Sequence, residues 1–188
     1  MHELALLVAA TLVAGTPLAL AGLGLLVNER AGVLNLGAEG LMLVAAIGGF
    51  AVAHATGSDT LAFAAAAAAA AALAAGFGLL VIWLNTNQYA TGLALTLFGY
   101  GFSAFVGVAY VGRKLAERAP FEVPGLAHIP FLGTALFRQH PMVYVTMGLA
   151  LALAWFLFRS RAGLVLRAVG ENPESAHALG YDVRWLRL

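Results

Sequence analysis

The stretch NERAGVLNLGAEGLMLVAA, residues 28–46, passes from a polar joint into an apolar run and carries a carboxylate, Glu39, inside that run. Glu29 and Arg30 stay in the joint. What Glu39 means depends on what surrounds it. Of 188 residues, 62% are hydrophobic and only 10% are Asp, Glu, Lys or Arg. A soluble domain keeps roughly 25% of its residues in those four types. The 22 glycines and the alanine run from Ala64 to Ala72 are equally poor material for a water-facing exterior. A membrane accounts for this composition, since ~20 consecutive apolar residues cross a bilayer core as one helix. A net charge of +1 supplies no basic face, so nucleic acid is not an expected partner. With no cysteine the chain has neither a disulfide framework nor a thiolate metal site.

Working outward, apolar segments are expected at Leu4–Val27, Val33–Thr56, Thr60–Leu84, Tyr89–Gly112 and Pro141–Phe158. The first, in MHELALLVAATLVAG, lacks the Lys or Arg of a signal-peptide n-region and reads as a retained membrane helix. Three short joints, NERAG (28–32), TGSD (56–59) and NTNQ (85–88), make consecutive spans antiparallel. Longer polar stretches run from Arg113 to His140 and from Arg159 to Val183. The following RWLRL reads as the start of a sixth apolar segment, so the chain is expected to be the N-terminal part of something longer. The expected fold class is all-α, a polytopic membrane protein with about five transmembrane helices and a cytoplasmic helical segment.

Basic residues orient the spans. Arg30, Arg159, Arg161, Arg167, Arg184 and Arg187 fall on one side, and Arg113, Lys114, Arg118 and Arg138 on the other. The richer side is expected to be cytoplasmic, with the N-terminus outside. Gly48–Gly49, Gly76 with Gly78, and Gly99 with Gly101 are expected to serve close helix packing.

Counting from Val33, Glu39 lies about nine Å inside the second segment. Asn35 precedes it by four residues, which puts both on one helical face. The pair is either an interhelical polar clasp or part of a solute pathway, because intramembrane ionisable groups face a protein interior or a wet cavity. A second polar cluster, Asn87, Gln88 and Thr91, marks another membrane boundary. Gly92, Gly99 and Gly101 would let the fourth segment bend or break, as transporter helices do. A plain turn followed by an N-cap explains the same residues without transport.

Enzyme signatures are missing. Histidines 2, 54, 128, 140 and 177 include no pair three or four apart. Neither a GxSxG elbow nor a Walker loop occurs. No catalytic, metal or cofactor residue is therefore expected, and any ATP must be bound elsewhere. The segment RSRAGLVLRAVGENPESAHALGYDV, residues 159–183, is the most informative polar stretch. Leu164, Val165, Ala168 and Val169 have the spacing of an amphipathic surface helix. Gly170 is expected to stop it, Pro173 to open a short helix over Glu174–Leu179, and Gly180 to cap that one. The result is either a docking knob or an ordinary interfacial loop.

Residues 28–46, LRAVGENPESAHALGYDV (166–183) and QYATGLALTL (88–97) together resemble the permease subunits of bacterial ABC importers for nucleosides and simple sugars. These belong to the wider branched-chain-amino-acid and ribose-type permease superfamily. The resemblance covers essentially the whole chain. It implies a single transmembrane permease domain over 1–188, incomplete at its C-terminus, in the bacterial cytoplasmic (inner) membrane. It further implies a second permease subunit, identical or homologous, and a cytoplasmic ABC ATPase holding ATP and Mg. An extracytoplasmic solute-binding protein or lipoprotein would deliver cargo, and membrane lipid would surround the spans. By match, Gly170, Glu171, Asn172, Pro173, Ala176 and Gly180 fall in the ATPase-coupling region. Gly32, Leu34, Asn35, Gly37, Glu39 and Gly40 match the second-helix signature, which would put Glu39 on a buried face. The alternatives are a branched-chain amino acid permease, which the second-helix signature disfavours, and a channel or helical scaffold that needs no ATPase.

Overall fold

A computed structural model describes residues 2–115, 121–122 and 133–188. Five helices among them are long and apolar enough to cross a membrane. These are α1 (His2–Arg30), α2 (Ala38–Thr56), α3 (Asp59–Gly78), α4 (Gln88–Gly107) and α5 (Pro141–Arg159). Three shorter helices follow: α6 (Arg161–Glu171), α7 (Pro173–Ala178) and α8 (Val183–Arg187). The all-helical, polytopic expectation holds. Among its described residues, the long polar stretch before α5 holds a π turn over Gly133–Phe137 and a two-residue antiparallel ladder pairing Phe121 with Gln139 and Glu122 with Arg138. Arg118 and most of that stretch lie outside the described residues.

The chain divides into two compact units, Met1–Gly24 with Glu117–Leu164, and Leu25–Ala116 with Val165–Leu188. In the first unit, α5 starts on His140, whose side chain accepts from the Met142 N–H, with Pro141 next in line. Gly163 lies directly against the backbone of Phe156 and Leu157, so α6 leaves α5 through a contact that has no room for a Cβ.

The second unit holds the end of α1, the α2–α4 bundle and the C-terminal helices. Gly32, at φ +78°, ends α1. Its N–H donates to the Glu29 carbonyl and that of Val33 to the Asn28 carbonyl, which is a Schellman turn. The chain from Val33 to Gly37 is then non-helical, and α2 begins at Ala38. This corrects the expected helical start at Val33. The Asn35 side chain accepts from the Gly37 N–H at 2.8 Å, closing a local turn that competes with helix formation.

Glycine and alanine set the helix crossings. A Cβ at Gly49 would come within 3.1 Å of the Ala66 Cβ on α3. A Cβ at Gly99 would fall on the backbone of Gly40, so α2 and α4 touch main chain to main chain there. Gly76 and Gly101 differ: a Cβ at either would meet nothing within 4 Å. Two of the three expected pairs therefore split, with Gly78 and Gly99 at contacts, while Gly48 and Gly49 both face alanines of α3.

Helix α4 runs unbroken as α-helix from Gln88 to Gly107, contrary to the expected bend at its glycines. The irregularity lies in the third span, where the backbone widens into a π turn over Leu79–Trp83. Both neighbours Val81 and Ile82 are buried there, in a cluster with Val33 and Phe77 that Leu95 covers. The joint then turns through Asn85 at φ +51°. Asn87 caps α4, accepting from the N–H groups of Tyr89 and Ala90.

Candidate functional site

The non-helical segment before α2 is held by α4 rather than by its own helix. The Leu34 N–H donates to Gln88 Oε1 at 2.7 Å. The Thr96 hydroxyl donates to the Leu36 carbonyl at 3.0 Å. Between these bonds Gly92 lets the backbones meet, since a Cβ there would lie 2.9 Å from the Leu36 nitrogen. Backbone groups that cannot pair within a helix must be satisfied by neighbouring protein wherever water is scarce. Gln88 and Thr96 do this.

Asn35 and Glu39 do not share a helical face. Asn35 is buried and committed to the turn before the helix. Glu39 is the second residue of α2 and is exposed in this chain, which corrects both its expected depth and its buried face. Its carboxylate accepts from the Tyr100 hydroxyl at 3.2 Å. The position suits an anion, because unsatisfied N–H groups at a helix start favour negative charge. Thr91, in the first turn of α4, pairs with Thr86 of the preceding joint at 2.9 Å. Asn87 and Thr91 thus serve local structure, whereas Gln88 links the two polar clusters.

The C-terminal helices form a second constellation in the same unit. Asn172 caps α7, accepting from the Ser175 N–H at 2.9 Å, and Pro173 occupies its first position. Gly180, at φ +90°, closes α7 in the same way that Gly32 closes α1: its N–H donates to the His177 carbonyl and that of Tyr181 to the Ala176 carbonyl. The start and finish of this helix match expectation. Gly170 does not, because α6 continues through it to Glu171. Its role is close approach, for a Cβ would strike the Arg30 carbonyl at the end of α1. Ala176 is buried within the chain, while Glu171, Asn172, Glu174 and Leu179 are exposed. The apolar Leu179, 79% exposed, is a feature that sequence periodicity did not single out.

Asp182 caps α8, accepting from the N–H groups of Arg184 and Trp185. RWLRL is here a short helix that packs back on the third span. The Trp185 ring meets Trp83 edge to face at 5.7 Å, and the Arg184 guanidinium lies 5.8 Å from the Trp83 ring centre. A cavity of about 700 Å³ opens between these elements, lined by Val33, Asn85, Gln88, Pro173, Glu174 and Gly180, among others. The joints at 28–32 and 85–88 and the segment from Val165 onward therefore meet at one end of the unit, as alternating spans require.

Five apolar spans and a capped helical knob after the fifth define a class, the polytopic helical membrane protein. Residues 7–188 match the family described as "Branched-chain amino acid transport system / permease component", and the chain belongs to that family. A Haloferax volcanii protein named as a glucose ABC transporter permease is 45% identical over 93% of this chain and 54% of its own length. The guanosine ABC transporter permease of Bacillus subtilis is 36% identical over 98% of this chain and 61% of its own. The nucleoside ABC transporter permease of Lactococcus lactis is 30% identical over 98% of this chain and 63% of its own. The chain thus spans between 54% and 63% of the length of these relatives. No solved structure matches it.

Proposed function

We propose that this chain belongs to the membrane-spanning subunit of an ABC importer for nucleosides or simple sugars. In this reading residues 1–188 are part of one permease domain, and 159–183 is its ATPase-facing segment. The observation that carries it is the α7 knob, a single helical turn and a half with a side-chain cap at Asn172 and a glycine turn at Gly180. A channel has no use for such a knob, and an importer without a nucleotide site of its own needs one. Glu171, Asn172, Glu174 and Leu179 present its outer surface to the ATPase, with Gly170, Pro173, Ala176 and Gly180 shaping it from within. ATP and Mg belong to that partner; a second permease subunit and an external solute-binding protein complete the assembly in the cytoplasmic membrane. Relatives named for glucose, guanosine and nucleoside transport support the solute class.

Asn35 and Gln88 shape the entrance to α2, and Glu39 stands at its exposed start beside Tyr100. We assign Glu39 to the solute pathway, with Asn35, Asn87, Gln88 and Thr91 as the framework around it. In the complete transporter, Glu39→Ala is expected to cut uptake severalfold while the thermal midpoint of the purified permease stays nearly unchanged. Tyr100→Phe, which removes only the hydroxyl donor, should give a smaller loss of the same kind. Normal uptake by both variants would make the pair a dispensable polar clasp.

The functional reading is tested with the full-length permease, its ATPase and its binding protein reconstituted in liposomes. ATP-dependent uptake of a labelled nucleoside or simple sugar is the expected result. Uptake confined to branched-chain amino acids would transfer the chain to the amino-acid branch of the family. Solute flux without ATPase would make it a channel.

A further inference from the structure

Pro173 creates a gap in α6. In an α-helix each carbonyl accepts from the N–H four residues ahead. The Ala168 carbonyl has its donor, the Asn172 N–H, at 3.0 Å. The next carbonyl, that of Val169, should accept from residue 173, and a proline has no N–H. Val169 is fully buried, at 0% exposure, so water does not readily replace the missing donor. Arg187 supplies it: its Nη2 donates to the Val169 carbonyl at 3.2 Å, from 18 residues further along.

The same guanidinium stands over the end of α1. A Cβ on Gly32 would lie 2.9 Å from Arg187 Nη2 and 3.0 Å from the Gly170 carbonyl. Two helix C-termini, those of α1 and α6, therefore converge on one cation. Each carries partial negative charge on its last carbonyls, and a cation between them is favourable to both. Burial lowers the pKa of Arg187 from the usual guanidinium value, but arginine keeps its charge in proteins. Its Nε is buried and finds no hydrogen-bond partner among the described residues, so Nη2 is the atom through which the group is tied to this site.

Gly32 is two residues before Leu34, where the α4-anchored segment leading to Glu39 begins. Val169 is three residues before the Asn172 cap of the ATPase-facing knob. We propose that Arg187 is a positioning residue for coupling: it clasps the end of α1 to the end of α6, so that movement of the knob is carried to the segment that sets the start of α2. This rests on the importer reading above. Arginine suits the role because its guanidinium stays charged and its planar fork holds Nη2 on the Val169 carbonyl while it stands beside Gly32, whereas lysine offers a single point charge on a flexible stem.

The test uses the complete importer in liposomes and reads ATP hydrolysed per solute imported, a ratio that loss of folded protein alone does not alter. Arg187→Gln is expected to raise that ratio by about threefold or more, with ATPase binding retained. Arg187→Lys should fall between Gln and wild type. An assembled Arg187→Gln complex with the wild-type ratio overturns the proposal. Should the Gln variant not assemble, Arg187→Lys decides: a raised ratio supports the clasp and a wild-type ratio overturns it. Failure of both variants to assemble makes Arg187 a folding residue and also overturns the coupling role. A wild-type complex that shows no ATP-dependent uptake of any nucleoside or sugar fails the importer reading instead, before the variants are compared.

Discussion

Gly99→Val is expected to prevent stable assembly of the permease, the largest loss that a single substitution in the described spans should cause. The added Cβ would fall on the Gly40 backbone, 2.7 Å from its carbonyl carbon, and backbone cannot rotate away as a side chain can. Gly40 offers no slack from its own side, since a Cβ there would lie 2.8 Å from the Thr96 Cα. Overpacking a tight contact costs about 1–3 kcal/mol when side chains can shift, and a main-chain crossing lies at or above that range. Separating α2 from α4 would also release the Thr96 bond to the Leu36 carbonyl and expose the segment that positions Glu39. Thermal unfolding of the detergent-purified permease checks this. Gly101→Ala is the control: with no atom within 4 Å of its Cβ it should leave the midpoint unchanged or slightly raised. Equal midpoints for Gly99→Val and Gly101→Ala would show that the two helices do not cross at glycine.

The second large effect is expected at Gly180. Its φ of +90° lies where L side chains are strained, and a β-branched residue suffers most. Gly180→Val should cost about 1–3 kcal/mol locally, enough to unwind a six-residue helix that has little cooperativity of its own. Loss of α7 would remove the surface that carries Glu174 and Leu179. Uptake by the reconstituted importer should then fall by about tenfold, while the external binding protein keeps its affinity for solute. Asn enters the left-handed region more readily than Val, so Gly180→Asn should retain most of the uptake. If valine and asparagine behave alike, conformation at Gly180 is not what the segment depends on.

The expectations that held share a physical basis. The five spans follow from length and hydropathy, which act on each segment separately. The Asn87 cap, the Asn172–Pro173 start of α7 and the positive-φ turn at Gly180 follow from chemistry within four or five residues. Local chain stiffness and local hydrogen bonding are written in adjacent residues, and family membership is carried by the same stretches.

Partners distant along the chain decided the rest. Helical periodicity alone would start the second helix at Val33, because Val, Leu and Gly all fit a membrane helix. The start moves to Ala38 because Gln88 and Thr96, 54 and 60 residues away from their partners, satisfy an extended backbone that a helix would otherwise have to satisfy itself. That shift brings Glu39 from an interior position to an exposed helix start, opposite Tyr100. Gly170 reads locally as a stop signal, yet its lack of a Cβ is used by the backbone of Arg30. Arg187 reads as one more positive charge, and only the folded chain shows that Pro173 leaves a buried carbonyl for it to fill. Composition and spacing determined that this protein crosses a membrane and carries a capped knob. Which backbone groups lacked local partners, and which distant side chains met them, was settled by packing between helices, where the energetic cost of an unpaired buried polar group overrides local propensity.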